Sequence, residues 1–174
     1  MSAQQDHADK LPEDESSAPT PVAWFEAGLR LMQLGQIAEA ELCGRNALAL
    51  DQGHADSLHL MGMLCVSAGQ YDLAIEWFAM AIGQRPDVAD YFCNLGVALQ
   101  RKDRLDEAVR CFDRALMLDP RQTDAWLRMG EILQHQKRFD EAIRCLDHVD
   151  ARISAVRPVR CVRVALPDPR DRDV

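Results

Sequence analysis

One spacing dominates this sequence, a 34-residue period that runs end to end through its middle. Four windows, 21–54, 55–88, 89–122 and 123–156, place glycine at the eighth position, as Gly28, Gly62, Gly96 and Gly130. Alanine recurs at the twentieth, as Ala40, Ala74, Ala108 and Ala142. With 9 glycines in 174 residues, four hits in one register arise by chance on the order of once in 10⁵ trials, so the period is an internal repeat and settles the architecture.

Each window carries two helical stripes. Positions 4, 7, 8 and 11 form the first, as in Phe92, Leu95, Gly96 and Leu99, and positions 17, 20, 24 and 27 the second, as in Leu105, Ala108, Phe112 and Ala115. Steps of three and four put each set on one helix face. A short break containing Gly35, Gly69, Asp103 or Lys137 separates the stripes. The spacing therefore predicts eight antiparallel helices near 21–34, 37–50, 55–68, 71–84, 89–102, 105–118, 123–136 and 139–152. Small residues at positions 8, 20 and 27 let paired backbones approach, and large ones fill between pairs. Asp72, Asp106 and Asp140 stand where second helices start, which suits the helix dipole. Pro86 and Pro120 stand just past where second helices end.

The flanks differ from the repeats. Residues 1–20 carry five acids against Lys10 and few large apolar groups, the composition of a disordered acidic tail. Residues 157–174 hold five Arg, three Asp and Pro158, Pro167 and Pro169, and are expected to be irregular. No polar capping helix is visible after repeat four, whose second helix still presents Phe139, Ile143 and Leu146. Self-association through this uncapped end, or cover by another chain, is expected. The abrupt change of composition near residue 150 also fits truncation or a shift of reading frame.

The third window, ADYFCNLGVALQRKDRLDEAVRCFDRALMLDPRQ, with the second close behind it, resembles the tetratricopeptide repeat. Departures fall in the end repeats, at Gly44, Gln52, Val149 and Ser154. The resemblance implies an all-α, right-handed solenoid of four helix-turn-helix repeats whose concave face, lined by first helices, holds an extended peptide or a partner helix. Gly44 stands where a large apolar residue is expected, and Val149 where Ala is expected. Lost packing at the first and overpacking at the second predict that repeats two and three are the most stable.

In this family positions 2, 5, 6, 9, 12 and 13 line the groove. The residues singled out on that basis are Phe25, Leu29, Met32, His59, Leu60, Met63, Val66, Asn94, Val97, Arg101, Arg128 and Glu131. The first half of the set is apolar and the second polar, so an apolar anchor over repeats one and two is expected. A carboxylate clamp of the kind that grips chaperone tails would need five basic and amide residues. Only Asn94 and Arg128 match, and Asp124 would repel a carboxylate. An asparagine ladder of the kind found in O-linked N-acetylglucosamine transferases would need Asn at position 6 of successive repeats, which read Glu26, Leu60, Asn94 and Arg128.

The function these features point to is a non-enzymatic scaffold or adaptor that holds a protein or peptide segment. One alternative is the recognition arm of a split or truncated glycosyltransferase, since HADSLHLMG and DLAIEW look like bacterial repeat segments of that type. Another is a chaperone of the type III secretion kind. Phosphate-binding loops, zinc-protease pairs and nucleophile elbows are absent from the sequence, and no catalytic residue, cofactor or metal is assigned. The six cysteines include no C-x-x-C pair and are expected as free thiols. Cys43, Cys111 and Cys145 share position 23, a ladder up a solenoid rather than a converging ligand set. A net charge of −8 argues against nucleic acid. No apolar run approaches the length of a membrane span, and the N-terminus lacks a signal-peptide core, so a cytoplasmic location is expected.

Overall fold

A computed structural model of the chain describes residues 19–156. They form α1 (Pro21–Gln33), α2 (Ile37–Leu50), α3 (Ala55–Ser67), α4 (Tyr71–Gln84), α5 (Ala89–Arg101), α6 (Leu105–Leu118), α7 (Thr123–His135) and α8 (Phe139–Val156). Each helix starts where the period puts it, and α8 runs four residues further than expected. The helices pair as hairpins, α1 with α2 through α7 with α8, and the hairpins stack in chain order. This is the expected all-α repeat solenoid. The acidic tail up to Ala18 and the tail 157–174 lie outside the described residues. No helix among the described residues is long and apolar enough to cross a membrane.

The helix ends follow from local chemistry. Thr20 caps α1, its hydroxyl accepting from Ala23 N at 3.2 Å, and Pro21 opens the first turn with its fixed φ. Position 15 of every repeat turns left-handed, with φ of 77° at Gly35, 73° at Gly69, 59° at Asp103 and 61° at Lys137. That turn folds the next amide back onto the helix just ended. Gln36, Gln70, Arg104 and Arg138 donate to the carbonyls of Leu31, Cys65, Leu99 and Leu133 at 2.8–3.0 Å. Carbonyls that the helix leaves orphaned are thereby satisfied.

Position 24 meets position 8 inside each hairpin. Phe78 is fully buried against Gly62, where an added Cβ would stand 2.4 Å from the ring, and Phe112 covers Gly96 in the same way. Burying such a ring contributes roughly 2–3 kcal/mol relative to leaving it in water. Repeat one is the exception, and here an expectation needs correcting. Gly44 does not leave a gap, because Met61 of the next repeat fills it, its sulfur only 2.7 Å from where a Cβ would stand. Leu60 reaches down beside it to cover Gly28. Two side chains of α3 thus replace the missing aromatic of α2.

Neighbouring repeats are also tied at the surface. Lys102 Nζ donates to Asp72 at 2.9 Å, and Gln136 Nε2 to Asp106 at 2.9 Å, joining position 14 of one repeat to position 18 of the one before. The aspartates at the starts of α4 and α6 therefore serve the helix dipole and the next repeat together. The face of α8 beyond repeat four is open, with Phe139, Ile143 and Leu146 all about half exposed.

Candidate peptide-binding groove

First helices touch one another along the solenoid, α1 with α3, α3 with α5 and α5 with α7. Together with the loops before α5 and α7, they line a groove of about 730 Å³. One end is apolar, formed by Phe25, Leu29 and Met63. These are half-buried side chains with surface left to offer, and apolar surface of this kind gains from being covered.

The wall beyond is polar and held in place. Arg85 Nη1 donates to Asp56 Oδ2 at 2.9 Å, and the Tyr91 hydroxyl donates to Asp56 Oδ1 at 2.5 Å. The Tyr91 ring lies 4.7 Å from the His59 ring between centroids, and Asn94 Nδ2 stands 2.7 Å from His59 Nε2. Burial pushes the His59 pKa down to about 4, against an opposing pull from Asp90 and Asp56, so the imidazole is neutral at physiological pH. Its Nε2 then accepts from the Asn94 amide. Burial, reinforced by the bond to Asp56, holds the Tyr91 phenol protonated. This chain of contacts joins α3 to α5 with every member's partner already made, so the wall is ordered before any ligand arrives.

The electrostatic sign of the groove is set by a row of aspartates. Asp56, Asp90 and Asp124 all stand at position 2, the second residue of α3, α5 and α7. Asp56 is neutralised by Arg85, Asp90 accepts from Gln122 Nε2, and Asp124 is exposed. Cys93, on the floor between the rows, has its thiol pushed up to about 11 by burial and then by Asp124 and Asp90. It is a packing thiol at neutral pH, not a nucleophile. The five cysteines among the described residues are free thiols.

The twelve residues singled out from the sequence divide into three groups. Phe25, Leu29, His59, Met63 and Asn94 line the groove together. Met32, Val66 and Val97 are half-buried and pack against the core clusters beneath, while Arg101 and Glu131 are exposed further along their helices and Arg128 is half-buried on α7. Leu60 is a correction. It is wholly buried, because the glycines at 28 and 44 leave a hollow that its side chain fills, and it has no surface for a ligand. Asn94, the one rung of an asparagine ladder, is already engaged by His59.

Arg85, Val88, Tyr91, Gln122 and Thr123 also line the groove and were missed. Two carried a signal. Arg85 replaces the aspartate that Asp51 and Asp119 provide at the same repeat position, where each closes a turn onto the amide two residues on. Tyr91 is a large aromatic at position 3, where Ala23, Ser57 and Ala125 are small. Breaks in the period thus mark where repeat chemistry gives way to a site.

Two family models, each described as Tetratricopeptide repeat, match residues 25–89 and 99–154, together 121 of the 174 residues. Among solved structures, the chain is similar to a crystal structure of MamA, with a TM-score of 0.72 and 18% identity over 78% of this chain and 80% of that one. MamA 41-end from Desulfovibrio magneticus RS-1 gives 0.70 and 20% identity, over 78% and 76% of the two chains. The APC/C hetero-tetramer Cut9–Hcn1 gives 0.71 and 22% identity, over 82% of this chain but 28% of that one. At these identities the likeness is one of fold. No curated protein matches the chain. Neither the family models nor these structures carry the likeness to glycosyltransferase repeat segments.

Proposed function

As this chain belongs to the tetratricopeptide repeat family, we propose that it is a non-enzymatic scaffold that holds an extended segment of another protein in the groove lined by α1, α3, α5 and α7. The observation that carries this reading is the division of the groove into an apolar end and a fixed polar wall. Phe25, Leu29 and Met63 would take an apolar anchor of the partner. The row of aspartates would favour a basic side chain further along and disfavour a carboxylate, which also argues against a clamp for acidic tails. Because His59, Tyr91, Asp56 and Asn94 are already hydrogen-bonded, little side-chain ordering remains for the ligand to bring about.

The test is capture of a partner from the native cell by the tagged chain, with Leu29→Asp and Met63→Asp combined as the control. The scaffold reading expects partners retained by the wild type to be lost from the double variant, with helix content by circular dichroism unchanged. Equal recovery by both chains would place the binding surface elsewhere.

A further inference from the structure

We propose that the groove has an occupant within the same chain, the segment Arg157–Leu166, laid from α7 across α5 to α3. This rests on the groove being a peptide-binding site. Much of the groove lies toward one edge of the solenoid, where its lining comes from the starts of α3, α5 and α7, such as Asp56, Asp90 and Asp124, and from the loops that follow α4 and α6, such as Arg85 and Gln122. Antiparallel pairing brings the C-terminal end of every second helix to that same edge. α8 is therefore directed toward the edge from which Thr123 and Asp124 enter the groove, and it runs 18 residues where α2, α4 and α6 run 14. The chain thus leaves α8 at the same edge of the solenoid as the starts of α5 and α7, whose residues line the groove.

Charge and pattern match as well. Three aspartates line the groove against one arginine, with His59 neutral. Asp124 has no ion pair or hydrogen bond among the described residues. The sequence that follows α8 is RPVRCVRVAL. It carries Arg157, Arg160 and Arg163, no acid, and Val159, Val162, Val164 and Leu166 between and after them. Basic and apolar groups are interspersed along it, which suits a groove that offers aspartates along α3, α5 and α7 and apolar side chains at its far end. Reach is sufficient. Ten extended residues span about 33 Å, and the three steps between packed helices, α8 to α7 to α5 to α3, cover roughly 30 Å. An intramolecular ligand of this kind competes with outside partners at a high effective concentration and so sets the affinity they must exceed.

The experiment uses the full chain with Val162 replaced by the photo-cross-linker p-benzoylphenylalanine, irradiated and mapped by mass spectrometry. The proposal expects cross-links within one chain to peptides of α3 and α5 containing Met63 or Cys93. Their yield should not depend on protein concentration and should fall several-fold when Asp90→Lys and Asp124→Lys are combined. Cross-links confined to the outer face of α8, formed only between copies, or absent would overturn it. A second arm follows a fluorescent synthetic peptide of residues 157–166 by anisotropy. It should bind the chain carrying Arg157→Glu, Arg160→Glu and Arg163→Glu more tightly than the wild type, because the internal competitor is gone, and equal binding would also overturn the proposal. Loss of this proposal alone leaves partner capture sensitive to Leu29→Asp with Met63→Asp, whereas failure of the groove reading removes that sensitivity.

Discussion

The four glycines at position 8 are equivalent in the period, yet the structure divides them. At Gly62 an added Cβ would stand 2.4, 2.6 and 2.9 Å from three atoms of the Phe78 ring. That ring is fully buried and packs with Ala74, Ala98 and Ile75, so it has nowhere to retreat. At Gly130 the nearest atom is Cys145 Cβ at 3.5 Å, an ordinary contact. Alanine in a helix interior is worth about 1 kcal/mol over glycine, and overpacking a rigid core costs about 1–3 kcal/mol. Gly130→Ala has the first term alone and should stabilise by about 1 kcal/mol. Gly62→Ala has both, with the second near its upper range, and should lose about 1–2 kcal/mol net. The two variants should therefore differ by about 2–3 kcal/mol, or roughly 1 M in urea midpoint at ordinary slopes. Urea unfolding followed by far-ultraviolet circular dichroism reads this directly. Midpoints that shift together, in either direction, would refute the reasoning that position 24, not the backbone, dictates glycine at position 8.

Lys137 holds φ at 61°, a conformation that costs a side-chain-bearing residue about 1 kcal/mol or more. Lys137→Gly should raise the urea midpoint by an amount worth about 0.5–1 kcal/mol after glycine's own entropy is counted, and an unchanged or lower midpoint would show the turn to be unstrained. His59 supplies a pH dependence. Its folded pKa of about 4 lies below the ordinary value of 6.5, so the unfolded chain takes up a proton first as pH falls. The stability linked to it is complete above about pH 6.5 and is lost progressively toward pH 4, by roughly 3 kcal/mol at most. His59→Leu should flatten unfolding free energy across that window, and a slope identical to the wild type would assign the dependence to other groups.

The repeat was legible because it rests on constraints that recur. Small residues at positions 8 and 20 and a left-handed turn at position 15 recur in all four hairpins, and a small residue at position 27 in three, with Val149 the exception, so the copies reinforce one another. The groove was only half legible because its residues compensate across repeats. Gly44 looks like a defect until Met61 and Leu60 are seen filling the space above it, and the same event withdraws Leu60 from the site to which the family pattern assigns it. Arg85 and Gln122 lie in loops between repeats, where helical periodicity says nothing about direction. Their roles depend on aspartates 29 and 32 residues away, at Asp56 and Asp90.

The central claim, that the groove and not the outer surface of the solenoid engages a partner, can be tested by site-specific photo-cross-linking in the native cell. A benzophenone side chain is placed at Leu29, inside the groove, or at Met80, which is half exposed on α4 outside it. The account predicts cross-linked species heavier than the chain itself from Leu29 and none of those species from Met80. Heavier species formed from Met80 and absent from Leu29 would contradict it.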